Sequence, residues 1–357
     1  MDALFPNIIH LLGEEEGECG YCKKETKRKL YLHFESMTCA MYEKLLMFGW
    51  RRCGDLLYQQ VSFGESCIER TILLPVKNFA ASRSQRRVLR RFERYLEGEL
   101  ALQEEKLVPV EGANRKKHSF RQVMTPAQPE YDDGVFALYT EFQREAFQDT
   151  DCTREGFMSF LGESSMAQSS SMGTFWWKWY VDEELVAVSV LDILPTCVSS
   201  VYFLYKQKMK PLSIGILGAL EEIALCQSLG KENYTLGLYV EECPRMRYKG
   251  LFHGSELLCS VSHSFVRLED VKEKLARHES CLVEDAAEAR RLQEEKRERF
   301  VESLEQTPFV VVQDELVLMQ YEDLREIPSV AKVVDLYLDW MPSVEGVLFV
   351  VRVFVVC

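Results

Sequence analysis

Between Leu185 and Leu191 the sequence LVAVSVL is almost unbroken in apolar residues and too short for a typical helix. That pattern predicts a strand buried on both faces. Pro195 ends it. Val198 to Tyr205 is a second β-rich run, and a link as short as Pro195-Thr196-Cys197 predicts an antiparallel hairpin. Pro211 to Gly230 then carries Ile216, Leu217, Leu220, Ile223, Ala224 and Leu225 at helical spacing, opened by a loop with Ser213 and Gly215 and stopped by Gly230. Thr235 to Val240 returns to a strand pattern.

The flanks extend this pattern. GTFWWKWY, Gly173 to Tyr180, begins the same sheet, its tryptophans serving as packing, and the Ser-rich stretch Glu163 to Met172 before it is a loop. Tyr131 to Leu161 reads as helical, with Phe136, Tyr139, Phe142, Phe147, Phe157 and Phe160 as core residues. Residues 1–16 read as a mobile leader, and 97–130 as an inter-domain linker. Ala276 to Gln306 is charged and helix-prone, with many possible i,i+4 ion pairs. Phe309 to Tyr321 and Gly346 to Cys357 add β character around a helix at Val330 to Trp340. The pattern is α+β: an N-terminal domain at 1–100, a linker at 101–130, and a second domain at 131–357 with a helical insertion at about 276–306.

At 357 residues and 47% hydrophobic the chain can bury a sizeable core. The apolar tail at 346–357 is too short to span a bilayer and carries Arg352, so no membrane association is expected. The N-terminus has no secretory pattern, and twelve cysteines without an export signal read as free thiols, metal ligands or redox groups. The cytoplasm follows as the expected compartment, with the nucleus as a second. A net charge of -13 opposes nucleic-acid binding in general and DNA in particular, so any polyanion contact must be local.

One such reversal exists. Ser82 to Leu96 predicts a helix with Val88, Leu89, Phe92, Tyr95 and Leu96 on one side and Arg83, Arg86, Arg87, Arg90, Arg91 and Arg94 around the rest. Asn114 to His118 is a shorter basic run that extends the patch. Cys19-Gly20-Tyr21-Cys22 is half of a tetrahedral thiolate site. Asp192 ends a buried strand, where a carboxylate must be hydrogen-bonded, paired or open to a cleft. It caps the turn at Pro195 or serves a site. Arg245, Arg247 and Lys249 alternate within CPRMRYKG, which puts them on one face if that stretch is extended.

VLDILPTCVSSVY (Val190 to Tyr202), LSIGILGALEEIAL (Leu212 to Leu225) and CPRMRYKG followed by SELL resemble the core of the arginyl-tRNA-protein transferases. GECGYC (Gly17 to Cys22), SMT (Ser36 to Thr38), GWRRCGDLLY (Gly49 to Tyr58), SRSQRRVLRRFERYL (Ser82 to Leu96) and VFALYTEFQREAFQD (Val135 to Asp149) follow the same family's order. The resemblance implies a GNAT-like catalytic domain and transfer of arginine from arginyl-tRNA to the α-amine of acceptor proteins beginning with Asp, Glu or oxidised Cys, marking them for N-degron degradation. It also implies an iron-sulfur cluster or zinc at Cys19, Cys22 and Cys67. The family's pattern has Cys-Cys where this chain has Ser66-Cys67, which leaves three options: completion by Cys53, an outside ligand, or no metal. The family commonly has His-Gln where Trp176-Trp177 stands.

On this reading Asp192 orients or deprotonates the amine, or binds the arginine guanidinium, and Tyr202 and Tyr248 donate hydroxyls. Backbone N–H groups near Ser213 and Gly215 hold the oxyanion or the tRNA 3′ end. Arg245, Arg247 and Lys249 meet the acidic side chain of the acceptor or tRNA phosphates. Arg86, Arg87, Arg90 and Arg91 lie along the tRNA backbone. The alternatives are a relative that transfers leucine or another acyl group, and a catalytically inactive tRNA- or degron-binding module.

Overall fold

A computed structural model describes residues 7–24, 27–62, 67–104, 106–111, 115–127, 132–305, 307, 309–312, 316–341 and 347–352. Ser66, Asn114, Tyr131, residues 1–6 of the leader and the tail from 353 lie outside the described residues. The fold is mixed α+β with mostly antiparallel sheets. No helix of the described residues is long and apolar enough to cross a membrane.

The chain forms two compact units, one of 1–73, 165–167 and 237–357, the other of 74–164 and 168–236. This differs from the consecutive domains that the sequence suggests, because the C-terminal strand returns to the N-terminal one. Val347–Arg352 runs parallel to Asn7–Gly17, pairing Asn7 with Val347 and Leu11 with Val351. From Asn7 on, the stretch read as a mobile leader is therefore a strand inside a seven-stranded sheet. Its apolar residues Ile9 and Leu11 are buried, and long-range pairing gives their backbone groups partners that local pattern cannot supply.

In that first unit the sheet order is Leu316–Met319, Phe309–Val312, Val347–Arg352, Asn7–Gly17, Lys27–Ser36, Leu56–Gln60 and Arg51–Cys53. The expected helix before the last strand forms at Pro328–Asp335. The charged segment forms the helix Ala286–Leu304, capped by Asp285 and laced by an Arg291–Glu295 ion pair at 2.6 Å. Arg70–Pro75 pairs antiparallel with Glu256–Leu258 through Leu73 and Ile72.

The second unit carries the predicted hairpin. Glu184–Ile193 and Cys197–Tyr205 are antiparallel strands, and every residue from Val186 to Ile193 is buried. Gly173–Val181 and Phe120–Pro126 continue the sheet on one side, and the strand that starts at Asn233 lies parallel to Cys197–Tyr205 on the other. Phe120–Pro126, with the hairpin Leu100–Gln103 and Lys106–Pro109, occupies the stretch read as a linker; the hairpin pairs Leu102 with Leu107 and Ala101 with Val108.

The helix Asp133–Phe147 packs Val135, Leu138, Tyr139 and Phe142 against Trp176, Val188, Val190 and Leu204. It stops at Phe147 because Gln148 adopts a left-handed conformation, φ +60, so Phe147 is half exposed instead of joining the core. The helix Ile214–Ser228 lies against Cys197–Tyr205 so closely that a Cβ at Gly218 would come within 2.6 Å of the Phe203 ring. Only glycine fits there without displacing an aromatic ring.

Candidate functional site

Cys19 and Cys22 sit on a tight turn in which the Cys19 N–H donates to Lys24 O at 2.8 Å and the Lys23 N–H donates to Cys19 O at 2.9 Å. Lys23 takes a left-handed φ of +63 to close it. Cys67 joins them from beyond the Leu56–Gln60 strand, and the three Sγ atoms lie within 4.8 Å of one another. Zinc–thiolate bonds of about 2.3 Å place sulfurs about 3.8 Å apart in a tetrahedron, so only a small contraction would seat an ion.

The electrostatics favour that use. Burial would keep the Cys19 thiol protonated, but the N–H groups of Cys22 and Tyr21 and the ammonium of Lys27 bring it down to about 7. Burial, reinforced by the neighbouring thiols, pushes Cys67 up to about 12, so its thiolate needs a cation. Soft sulfur donors in a partly closed site suit zinc or an iron-sulfur cluster.

A fourth thiol stands beside them. Cys243, half-buried, packs against Cys19 and Cys67 together with Tyr21, Val240 and Met246. Cys243 is not one of the three sulfurs that lie within 4.8 Å of one another, but it packs on their cluster. Pattern reading treats it only as the first letter of CPRMRYKG, and packing beside a thiol 176 positions earlier has no local signature. Cys53 is exposed on the edge strand Arg51–Cys53 and is not part of the thiol group.

CPRMRYKG is not extended. Pro244–Arg247 is a helical turn with Pro at its first position, and Tyr248–Leu251 continues as a 3₁₀ turn. Residues two apart on a helix point to different sides, so Arg245, Arg247 and Lys249 do not form the single cationic face expected from alternation. Arg245 and Arg247 are exposed. Lys249 instead turns inward and donates to Leu238 O at 2.8 Å; burial, with Arg51 nearby, pulls its ammonium down to about 7. Tyr248 is half-buried.

The remaining predicted residues belong to the other unit. Asp192 is wholly buried, faces Thr174 and Ser199 on the adjoining strands, and accepts a 2.8 Å hydrogen bond from Thr174 Oγ1. Tyr202 is half-buried, its phenol raised by burial, and donates to Gln143 Oε1 at 3.4 Å. Ser213, at φ +57, precedes the Ile214–Ser228 helix without capping it. Its hydroxyl and the Pro211 carbonyl instead each accept from Arg91 Nη1 at 3.2 Å. Two separately predicted groups, the arginine helix and the Ser213 loop, thus meet. Gly215 lies in the first turn, where an added Cβ would touch nothing within 4 Å.

The arginine helix, Arg83–Leu96, begins with a reciprocal capping box between Ser82 and Gln85. It buries Val88, Phe92 and Tyr95 and exposes Arg86, Arg87 and Arg90. Arg91 is half-buried. Sequence reading missed Glu222, a fully buried carboxyl that accepts from Ser189 Oγ at 2.6 Å and Tyr234 OH at 2.5 Å. Burial raises its pKa. The available signal was an acid set between Leu220 and Ile223 on an apolar helix.

Comparison with known proteins adds to this geometry. Residues 17–87 match the model described as arginine-tRNA-protein transferase, N terminus, and residues 134–259 match its C terminus. Arginyl-tRNA–protein transferase 1 of Drosophila melanogaster is 36% identical over 156 residues, 40% of this chain and 32% of that protein. The protein of that name in Saccharomyces cerevisiae is 25% identical over 272 residues, 68% of this chain and 54% of its own length. The aspartate/glutamate leucyltransferase of Pseudomonas fluorescens is 28% identical over 245 residues, 67% of this chain and 89% of that protein. The chain thus spans about a third to a half of the length of the two eukaryotic relatives.

Proposed function

Because the chain belongs to the arginyl-tRNA–protein transferase family, we propose that it moves arginine from arginyl-tRNA to the N-terminal α-amine of acceptor proteins that begin with Asp, Glu or oxidised Cys. The observation that carries this reading is the ordered match to both halves of the family within one chain. Such a product would be an N-degron, formed in the cytoplasm. The β-strand, loop, helix and β-strand order of residues 184–239 supports a GNAT-like catalytic unit.

In this reaction the amine nitrogen attacks the ester carbonyl carbon, a C–N bond forms, the bond to the ribose oxygen breaks, and the amine proton ends on that oxygen. A free α-amine has a pKa of about 7.7–8.0, so the attacking form is a minority at neutral pH. The first turn offers the N–H groups of Ile214 and Gly215 to the tRNA 3′ end, the Ser213 N–H being taken by Lys210 O. Arg91 adds a guanidinium beside Ser213. Arg86, Arg87 and Arg90 supply the exposed cations for the tRNA backbone.

Asp192 has no exposure with which to meet an amine. Its role in this reading is positioning: it holds Thr174 and the end of the Glu184–Ile193 strand. Tyr202 carries a hydroxyl suited to the leaving oxygen, while Tyr248, Arg245 and Arg247 of the other unit remain for acceptor or tRNA. Cys19, Cys22 and Cys67, with Cys243 beside them, would hold zinc or a cluster that cross-links the N-terminal turn to CPRMRYKG.

A second donor is favoured by one observation: the bacterial relative matched over most of its length is a leucyltransferase. Purified protein should therefore receive both arginyl- and leucyl-tRNA with peptides starting with Asp, Glu, Asn, Gln or Ala. Arginine on Asp and Glu peptides alone supports the proposal, and leucine transfer favours the bacterial activity. Acetyl transfer from acetyl-CoA with neither aminoacyl reaction would overturn both.

A further inference from the structure

The first unit contains a small, partly open cavity that none of the assignments above uses. Four side chains in its wall carry buried polar atoms without a hydrogen-bond partner among the described residues: Gln59 Oε1, Arg70 Nε, Thr71 Oγ1, and Nδ1 and Nε2 of His263. All four residues are at most 7% exposed. Buried polar atoms are normally bonded, and several unmet ones around a single hole mark a place for a polar ligand.

The charge of the wall selects the ligand. Arg51 and Arg70 line it, and among the described residues Glu69 is the one acid of its wall. That carboxylate is already engaged, by Lys27 at 2.6 Å and Lys29 at 3.4 Å. Burial brings Arg70 down to about 10, which leaves it charged at neutral pH, whereas His263 is held down to about 4 and is neutral. An anion is wanted, and a guanidinium ligand would be repelled. Tyr58, Leu238 and Leu258 complete the lining with apolar surface. The complement is an oxyanion on a short apolar stem.

We propose that this cavity receives the acidic side chain of the acceptor's N-terminal residue, its carboxylate meeting Arg70 and Thr71 while the stem lies against Tyr58 and Leu258. This placement rests on the transferase reading. It accounts for discrimination against Asn and Gln, because a neutral amide brings no negative charge to Nε of Arg70, whose Nη2 already donates to Glu279 O. The sulfinate or sulfonate of an oxidised cysteine has the same chemistry on a shorter stem. His263 and Gln59 then serve as neutral partners for the remaining acceptor and donor atoms.

The test is calorimetric titration of the full chain, without tRNA, with peptides that differ only in a first residue of Glu, Asp, Gln or Asn, and with inorganic phosphate. Acidic peptides should bind at least tenfold more tightly than their amides. Arg70→Met should abolish that ratio, and Thr71→Val, a near-isosteric change, should weaken the acidic peptides about threefold. Hydrogen exchange on the unaltered protein covers the case in which Arg70→Met does not fold: the Glu peptide should protect residues 56–60 and 70–75.

Equal binding of acids and amides, protection absent from both strands, or phosphate binding as tightly as the Glu peptide would overturn the assignment. Selective binding and protection without aminoacyl transfer would leave the cavity assigned and remove the transferase reading. Transfer to Glu peptides with selectivity intact in both variants would do the reverse.

Discussion

Lys27 and Glu69 form an ion pair of 2.6 Å in which neither side chain is more than 5% exposed, and the same ammonium lies 3.5 Å from Cys19 Sγ. One lysine therefore touches both the thiol cluster and an acid of the cavity wall. A buried pair contributes little net stability while intact, but removing one member strands the other. Lys27→Met should destabilise the protein by about 3 kcal/mol, the low end for a broken buried pair because Lys29 remains 3.4 Å from Glu69. Denaturant unfolding measures it, and a loss below about 1 kcal/mol would show that Lys29 replaces Lys27.

Metal content tests the thiol set. Anaerobically purified protein loaded with cobalt should show thiolate-to-metal absorption from four sulfurs, and Cys243→Ser should reduce it and lower zinc affinity by at least about tenfold. Cys53→Ser should change neither. Cobalt spectra identical in the protein and Cys243→Ser would restrict the donors to Cys19, Cys22 and Cys67.

Acid stability should report His263. Its ring is stacked on Phe48 at 4.1 Å, and burial together with the Lys296 charge depresses its folded pKa to about 4, against about 6.5 when unfolded. The unfolded chain binds the extra proton between those values, so the stability present above pH 6.5 is lost as the pH falls through 4, up to roughly 3 kcal/mol. His263→Phe keeps a ring on Phe48 and removes the titration. Its unfolding free energy should fall less between pH 6.5 and 4 than that of the parent; parallel curves would mean the ring is protonated in both states.

Replacing Arg86, Arg87 and Arg90 with Gln should weaken tRNA binding and flatten its salt dependence by about 0.7 to 0.9 for each phosphate no longer neutralised, with little change in melting temperature. Arg91→Gln should behave differently. It releases the Ser213 hydroxyl and the Pro211 carbonyl, so transfer should fall more than the salt slope. An unchanged slope in the triple variant would identify that face as solvated only.

Local pattern was enough wherever a segment's own residues decide its conformation. The apolar run at 185–191 became a buried strand, the Pro195 link a hairpin, and the Ser82 to Leu96 stretch a helix closed by its own capping box. The C-x-x-C turn is local in the same sense, since its two thiols are three residues apart. Even the error at CPRMRYKG was readable: Pro244 at a first helical position is a helix-start signal that outweighs alternation of charge.

Other features depend on which distant segments meet, and pattern within a window carries no record of that. Asn7–Gly17 is a strand because Val347–Arg352 and Lys27–Ser36 flank it. Asp192 is closed off because strands bearing Thr174 and Ser199 lie on both sides of it, a burial no single strand pattern specifies. The packing of Cys243 on Cys19 and Cys67, and the polar atoms of Gln59, Arg70, Thr71 and His263 that are unmatched among the described residues around one cavity, arise the same way. Backbone periodicity determines which face a residue presents, whereas the identity of its neighbour, and so its charge state and chemistry, is decided when separate segments pack.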